Sequence, residues 1–199
     1  MEKIEDYPEF LDWDIERLSN KIAEVFNVFL CAIKFPHNIE FRSVFTEDSI
    51  NKIPETPVLA WKIKKTEPAA IVGEPFGNKK ERALNTNGII NTPDSVYKYS
   101  KQHMENVVAF SFHTNDIQIM RDLTRNFRNF IIGMRQELRE SLSLPDIYFL
   151  KRTEDSIKYV DGNIICTSDI EVYIKTLVIV AYDINLIREV KLHMKYEDQ

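Results

Sequence analysis

Glycine is scarce in this 199-residue chain: five residues in all, and three of them, Gly73, Gly77 and Gly88, fall between Thr66 and Met104. No glycine-rich phosphate cradle is built from so few. The run from Gly73 to Gly77 leads into Asn78, Lys79 and Lys80, but it lacks both the P-loop spacing and a following helix that would supply backbone amides. Cysteine is scarcer. Cys31 and Cys166 stand far apart, which excludes a disulfide framework and a paired-ligand zinc site, and both are expected to be buried, inert thiols. The four histidines, His37, His103, His113 and His193, have no metal or triad spacing. His113 near Thr114 and Asp116 resembles a base with an orienter, but no G-x-S-x-G or comparable nucleophile motif accompanies it.

Long apolar runs are missing as well. Leu177 to Tyr182 is the longest near the C-terminus, against the roughly 20 residues of a membrane-spanning helix. The opening MEKIEDYPEFLDWD is acidic and has no apolar signal core, so the expected setting is the cytosol and no membrane partner is expected. Positive charge is not in excess: the net charge of -5 argues against a protein whose main task is gripping a nucleic-acid backbone, although a mildly acidic wall suits DNA that slides past. The carboxylate pairs Glu47–Asp48, Glu154–Asp155 and Glu197–Asp198 sit beside turns or a terminus, where solvation explains them better than acid–base chemistry. The sequence therefore predicts no catalytic residues, no cofactor and no metal, and a protein that is not an enzyme.

What the chain has is apolar material for one sizeable core, 44% of residues, arranged in two periods. Leu11, Ile15, Leu18, Ile22, Val25 and Phe29 recur at steps of three and four, which predicts a helix from about Phe10 to Leu30. Ile39, Phe41 and Ser43 then alternate with Glu40, Arg42 and Val44, a strand. Val58–Lys64 reads as a second strand, expected to pair antiparallel with the first. Val107–Phe112 is another. A second helix, capped by Thr114 or Asn115 with Asp116 in its first turn, presents Ile117, Met120, Leu123, Phe127, Phe130, Met134 and Leu138 on one face. Ile147–Arg152, a charged turn, Thr167–Tyr182 and a final alternating run from Leu186 to Met194 complete three strands, with Gly162 and Asn163 suited to a turn. The expected fold class is a single α+β domain over residues 1–199, a mostly antiparallel β-sheet packed against two amphipathic helices.

Two features fit interfaces. Residues 66–104 lack strong periodicity and are too long for an idle connection. The stretch is either a disordered insertion or an extended arm or long hairpin that orders against a neighbour. Ile71, Val72, Ile89, Ile90, Tyr97 and Tyr99 give it apolar anchors, and Lys79, Lys80 and Arg82 a basic group. The second feature is Arg121, Arg125, Arg128, Arg135 and Arg139, which the spacing sets in one stripe beside the apolar face of the second helix. Either it is a solvated stripe paired with Asp122, Glu137 and Glu140, or it contacts a neighbouring subunit through bidentate bonds, or it faces DNA, which the overall acidity disfavours.

The run ENVVAFSFHTND (Glu105–Asp116) leading into a long helix, then FLKRTED (Phe149–Asp155), then SDIEVYIKTLVIVAYDINLIREVKLHM (Ser168–Met194) resembles the tail-completion, or tail terminator, proteins of tailed phages. The resemblance spans about Val58 to Met194; lysines and acidic residues replace aromatics and arginines common in such families. It implies a structural virion protein that forms a homo-oligomeric ring, commonly a hexamer, at the head-proximal end of the tail. Such a ring stops tube polymerisation and joins the tail to the neck. The implied partners are itself, the tail tube protein, the neck or head-completion protein and, in contractile tails, the sheath protein, with DNA passing through the ring without sequence-specific binding. Alternatives are a head-completion, neck or baseplate subunit of the same particle, and a cellular α+β binding module.

Overall fold

The structure, a computed structural model, describes residues 15–42, 56–68, 86–91, 96–160 and 163–183. The elements in chain order are α1 (Ile15–Ala32), β1 (Glu40–Arg42), β2 (Val58–Pro68), β3 (Thr86–Asn91), β4 (Val96–Thr114), α2 (Ile117–Gly133), α3 (Arg135–Ser141), β5 (Asp146–Arg152), β6 (Ser156–Val160) and β7 (Asn163–Asp183). The strands form one mixed sheet of order β1-β2-β4-β7-β5, with β3 on β4 and β6 on β7. With the helices this is an α+β protein, as the periodicities predict.

Chain contacts divide it into two compact units. The larger, Trp13–Glu67 with Glu105–Thr176, holds the core. Leu18, Ile22, Phe26 and Leu30 of α1 and Met120, Leu123, Phe127, Phe130 and Ile131 of α2 pack with Leu59, Trp61, Phe110, Phe112, Ile147, Ile170, Val172 and Ile174 of the sheet. In β7 the alternation of Ile170, Val172 and Ile174 toward this core follows the two-residue period of a strand. The smaller unit includes the described parts of Pro68–Met104 and Leu177–Gln199. In it β3 pairs antiparallel with β4, Thr86 opposite Lys101 and Asn91 opposite Val96. Within residues 66–104, the described residues 86–91 and 96–101 are thus paired strand. Lys79, Lys80 and Arg82 lie outside the described residues, as do the expected start of the first helix before Ile15 and the final run from Leu186 to Met194.

Several expectations are corrected. β1 and β2 run parallel, Glu40 opposite Val58 and Arg42 opposite Ala60, so their connection is a crossover and not a hairpin. The apolar face of α1 keeps Leu18 and Ile22 but continues through Phe26 and Leu30, with Val25 and Phe29 only partly buried against it. The second helix is two: α2 ends at Gly133, Met134 takes φ -101° and ψ 19°, and α3 begins at Arg135. Leu138 stays buried across the break, which is why the apolar spacing reads as continuous. Asp116 is the N-cap, accepting hydrogen bonds from the Gln118 and Ile119 amides at 2.6 and 3.2 Å. Thr114 stands two residues back and accepts from the Asp116 amide. The charged turn shrinks to Thr153–Asp155, because Ser156–Val160 and Asn163–Cys166 pair as strand. Cys166 is buried but Cys31 is exposed: it lies one residue past Leu30 and so turns away from the apolar stripe.

Candidate interaction surface

Three groups of polar side chains and one sheet edge could carry function in the larger unit. The arginines come first. Arg121, Arg125 and Arg128 lie on α2 and Arg135 and Arg139 on α3, all exposed. Arg125 pairs with Asp122 one turn back at 2.8 Å, and Arg121 reaches Asp155 at 3.7 Å. Arg128 donates to Asn129 at 3.4 Å. Arg135 donates to both oxygens of Asp146, at 2.8 and 3.1 Å, with its guanidinium 5.7 Å from the Tyr148 ring centroid. The break at Met134 therefore splits the stripe, and three of its members already hold carboxylates of their own chain. Arg139 lines an open groove of about 590 Å³ with Ile132, Gly133, Gln136 and Leu144. Tyr97 and Tyr99 of β4 lie opposite Ile90 and Gly88 of β3.

The sheet face turned away from the helices carries the second group. Glu171 accepts from Lys64 at 2.6 Å and lies 3.5 Å from Lys151. Burial alone would raise the pKa of this carboxyl, but the two ammonium groups outweigh it and the net shift is downward. Tyr148 and Tyr173 stack with centroids 4.5 Å apart. Burial, a hydrogen bond to Glu105 and the charge of Glu105 raise the Tyr173 pKa.

His113 is the third. Its Nδ1 lies 3.2 Å from Thr167 Oγ1, and burial lowers its pKa to about 4 against the partial compensation of Asp169, with Arg42 lowering it further. The ring is neutral at pH 7. A histidine beside a threonine hydroxyl has the elements of a base and a nucleophile, but His113 is buried and Thr167 half-buried within the sheet. Sequence spacing gave no hint of this pair, which comes from different strands. No group of three or more metal-binding side chains occurs among the described residues, and no described helix is long and apolar enough to cross a membrane.

The edge is formed by β5 and β6 together. Both pair antiparallel with β7, β5 along Ile170–Lys175 and β6 along Asn163–Thr167, and between them the Thr153 amide donates to Asp169 at 2.9 Å. They are one long strand bent at two irregularities, the first between Phe149 and Lys151 and the second at Thr153–Asp155. Among the described residues no strand pairs with its outer side. Its far end is apolar and open, with Ile157 46% and Tyr159 75% exposed beside Ile164 of β7 at 40%, whereas at its near end Ile147 is buried and its amide donates to Asp146 Oδ1 at 2.9 Å. No protein-family model matches the chain, and a search of curated proteins finds no match either.

Proposed function

We propose that this protein is a structural subunit of a phage particle, a tail-completion protein that acts as a homo-oligomeric ring at the head-proximal end of the tail. Its work is done by buried area and matched charge at interfaces, not by catalysis. The observation that carries the reading is the placement of the three runs that resemble this family. Glu105–Thr114 is the inner half of β4 and Asp116 caps α2; Phe149–Asp155 is the end of β5 and its turn; the described part of Ser168–Met194 is β7. The resemblance thus falls on a consecutive strand–helix–strand–turn–strand block. The β6 end of the sheet edge, with Ile157 and Tyr159 exposed, and the pairing of β3 with β4 within residues 66–104 offer surfaces for neighbours.

The test is the mass of the purified protein in solution, with negative-stain images in the presence of purified tail tubes. Rings, free or seated on tube ends, are the expected result. A protein that ignores tail tubes, and also neck and baseplate components, at every concentration would overturn the reading.

A further inference from the structure

The two ends of the sheet are complementary, and we propose that β6 of one copy pairs antiparallel with β1 of the next, so that the sheet runs on from subunit to subunit. Such a contact is head-to-tail, the kind from which rings are built. It rests on the reading of the protein as a ring of like copies, and supplies the subunit contact of that ring.

Direction, height and backbone agree. β1 runs parallel to β2. β2 and β4 are antiparallel, since Thr66 bonds Asn106 while Trp61 packs on Phe110. So are β4 and β7, since His113 meets Thr167 while Asn106 meets Ile174, and β6 opposes β7. β1 and β6 therefore point opposite ways, and copies repeated without inverting the strands set β6 antiparallel to the neighbouring β1. As to height, Glu40 lies opposite Val58, and stepping equally from the Thr66–Asn106 bond brings Val58 level with Thr114. Next to it His113 touches Thr167, and Thr167 pairs with Ser156. Both edges thus stand at one end of the sheet. One copy can follow the next without sliding along the strands, a condition for a head-to-tail contact to close and not climb as a filament. In the backbone, the Glu40 amide donates inward to the Pro57 carbonyl at 2.9 Å, which turns the polar groups of Ile39 and Phe41 outward. Val160 pairs with Asn163 across a two-residue step, which makes theirs a hydrogen-bonded pair and turns the polar groups of Ile157 and Tyr159 outward. Among the described residues no strand occupies the outer side of β1 or β6.

Side chains select one register. With Glu40 opposite Lys158, Ile39 falls opposite Tyr159 and Phe41 opposite Ile157, which joins the outward backbone groups to each other. The faces match too. Ile39 and Phe41 pack against the core on the helix side. Ile157 and Tyr159 lie opposite Cys166 and Ile164, on the side of the core residues Ile170 and Val172. The contact covers Ile157 and Tyr159, which are open to water in the single copy. Glu40 and Lys158 both lie on the other face, as a non-hydrogen-bonded pair in which side chains come closest. Lys158 is exposed and has no acid beside it among the described residues, and Glu40 uses only Oε1 to hold Arg42. Pairing β6 with β6 in the corresponding register would set Lys158 against Lys158, so the edge favours β1 over its own copy. A one-residue slip would turn every apolar side chain to the wrong face.

Glu40→Cys with Lys158→Cys in a Cys31→Ser background tests the contact, because opposed residues of a non-hydrogen-bonded pair lie within disulfide reach. Both positions are exposed, so the melting temperature should be retained. Oxidation, with and without purified tail tubes, should give a ladder of covalent multimers reaching beyond the dimer on denaturing, non-reducing gels. Each copy offers one thiol to each neighbour, so either cysteine alone should give no ladder. Lys158→Glu should weaken association about tenfold per contact, and adding Glu40→Lys should restore it. No ladder under either condition overturns the proposal, as does a product that stops at the dimer, the mark of a two-fold contact. Rings on tail tubes without a ladder would remove this contact and leave the ring. A ladder from a protein that ignores tail tubes would keep the contact and remove the tail reading.

Discussion

Phe26 and Phe127 meet edge to face, ring centroids 4.8 Å apart and planes at 90°. The contact joins α1 to α2, and Phe110, Phe112 and Phe130 close around Phe127 at 4.8, 5.4 and 6.0 Å. An aromatic cluster of this kind adds a directional term to simple burial. Phe127→Ala would leave a cavity where helices and sheet converge, and should lower unfolding stability by about 3–5 kcal/mol. Phe127→Leu, which keeps most of the volume, should cost well under half as much. Urea titrations of both variants check the ratio.

Asn106 is the polar counterpart. Its side-chain amide donates to the Ile174 carbonyl at 3.1 Å and to Thr176 Oγ1 at 3.0 Å, while Thr66 donates to its Oδ1 at 2.9 Å. One buried side chain ties β2, β4 and β7. Asn106→Ala would strand these partners and should cost about 1–3 kcal/mol. Asn106→Leu should be no milder, because it fills volume but satisfies none of them.

At the start of α2 the Asp116 carboxylate satisfies two amides that the helix leaves open. Replacing it with alanine should lower stability by about 1 kcal/mol, and with asparagine by less. Thermal melts of the two variants distinguish capping from a general loss of charge.

Low pH acts through His113. Its pKa falls from 6.5 to about 4 on folding, chiefly by burial, so between those values the unfolded chain binds the proton that the folded chain rejects. Stability from this group is complete above pH 6.5, declines as pH falls through the window, and levels off below about pH 4, with a total on the order of 2–3 kcal/mol. Denaturant midpoints at pH 7 and pH 4.5 should differ by more in wild type than in His113→Gln. Equal differences would remove His113 as the source.

Helix identity was legible because a 3.6-residue stripe needs little context: Leu18, Ile22 and Met120, Leu123, Phe127, Phe130 repeat at that spacing and are buried. The break at Met134 was not legible, since Leu138 returns to the core at the helical step while the backbone between pauses. Strand β6 was present in the alternation of Ile157 and Tyr159, but neighbouring charges read as a turn. The parallel sense of β1 and β2 has no local signature at all.

The candidate surfaces divide the same way. Arginine spacing placed Arg121, Arg125 and Arg128 on one helix and Asp122 within reach, where Arg125 holds it, but the acids that Arg121 and Arg135 meet, Asp155 and Asp146, come from the sheet's distant turn and edge. No spacing rule reaches that far.

Local periodicity, then, determined the α+β class, the two long helices and the inward face of β7, because each depends on residues a few positions apart. Strand order, the His113–Thr167 contact, the buried charge of Glu171 and the exposed β6 end of the sheet edge were decided only in three dimensions. They depend on which strands become neighbours, and that is set by burying the whole apolar surface at once.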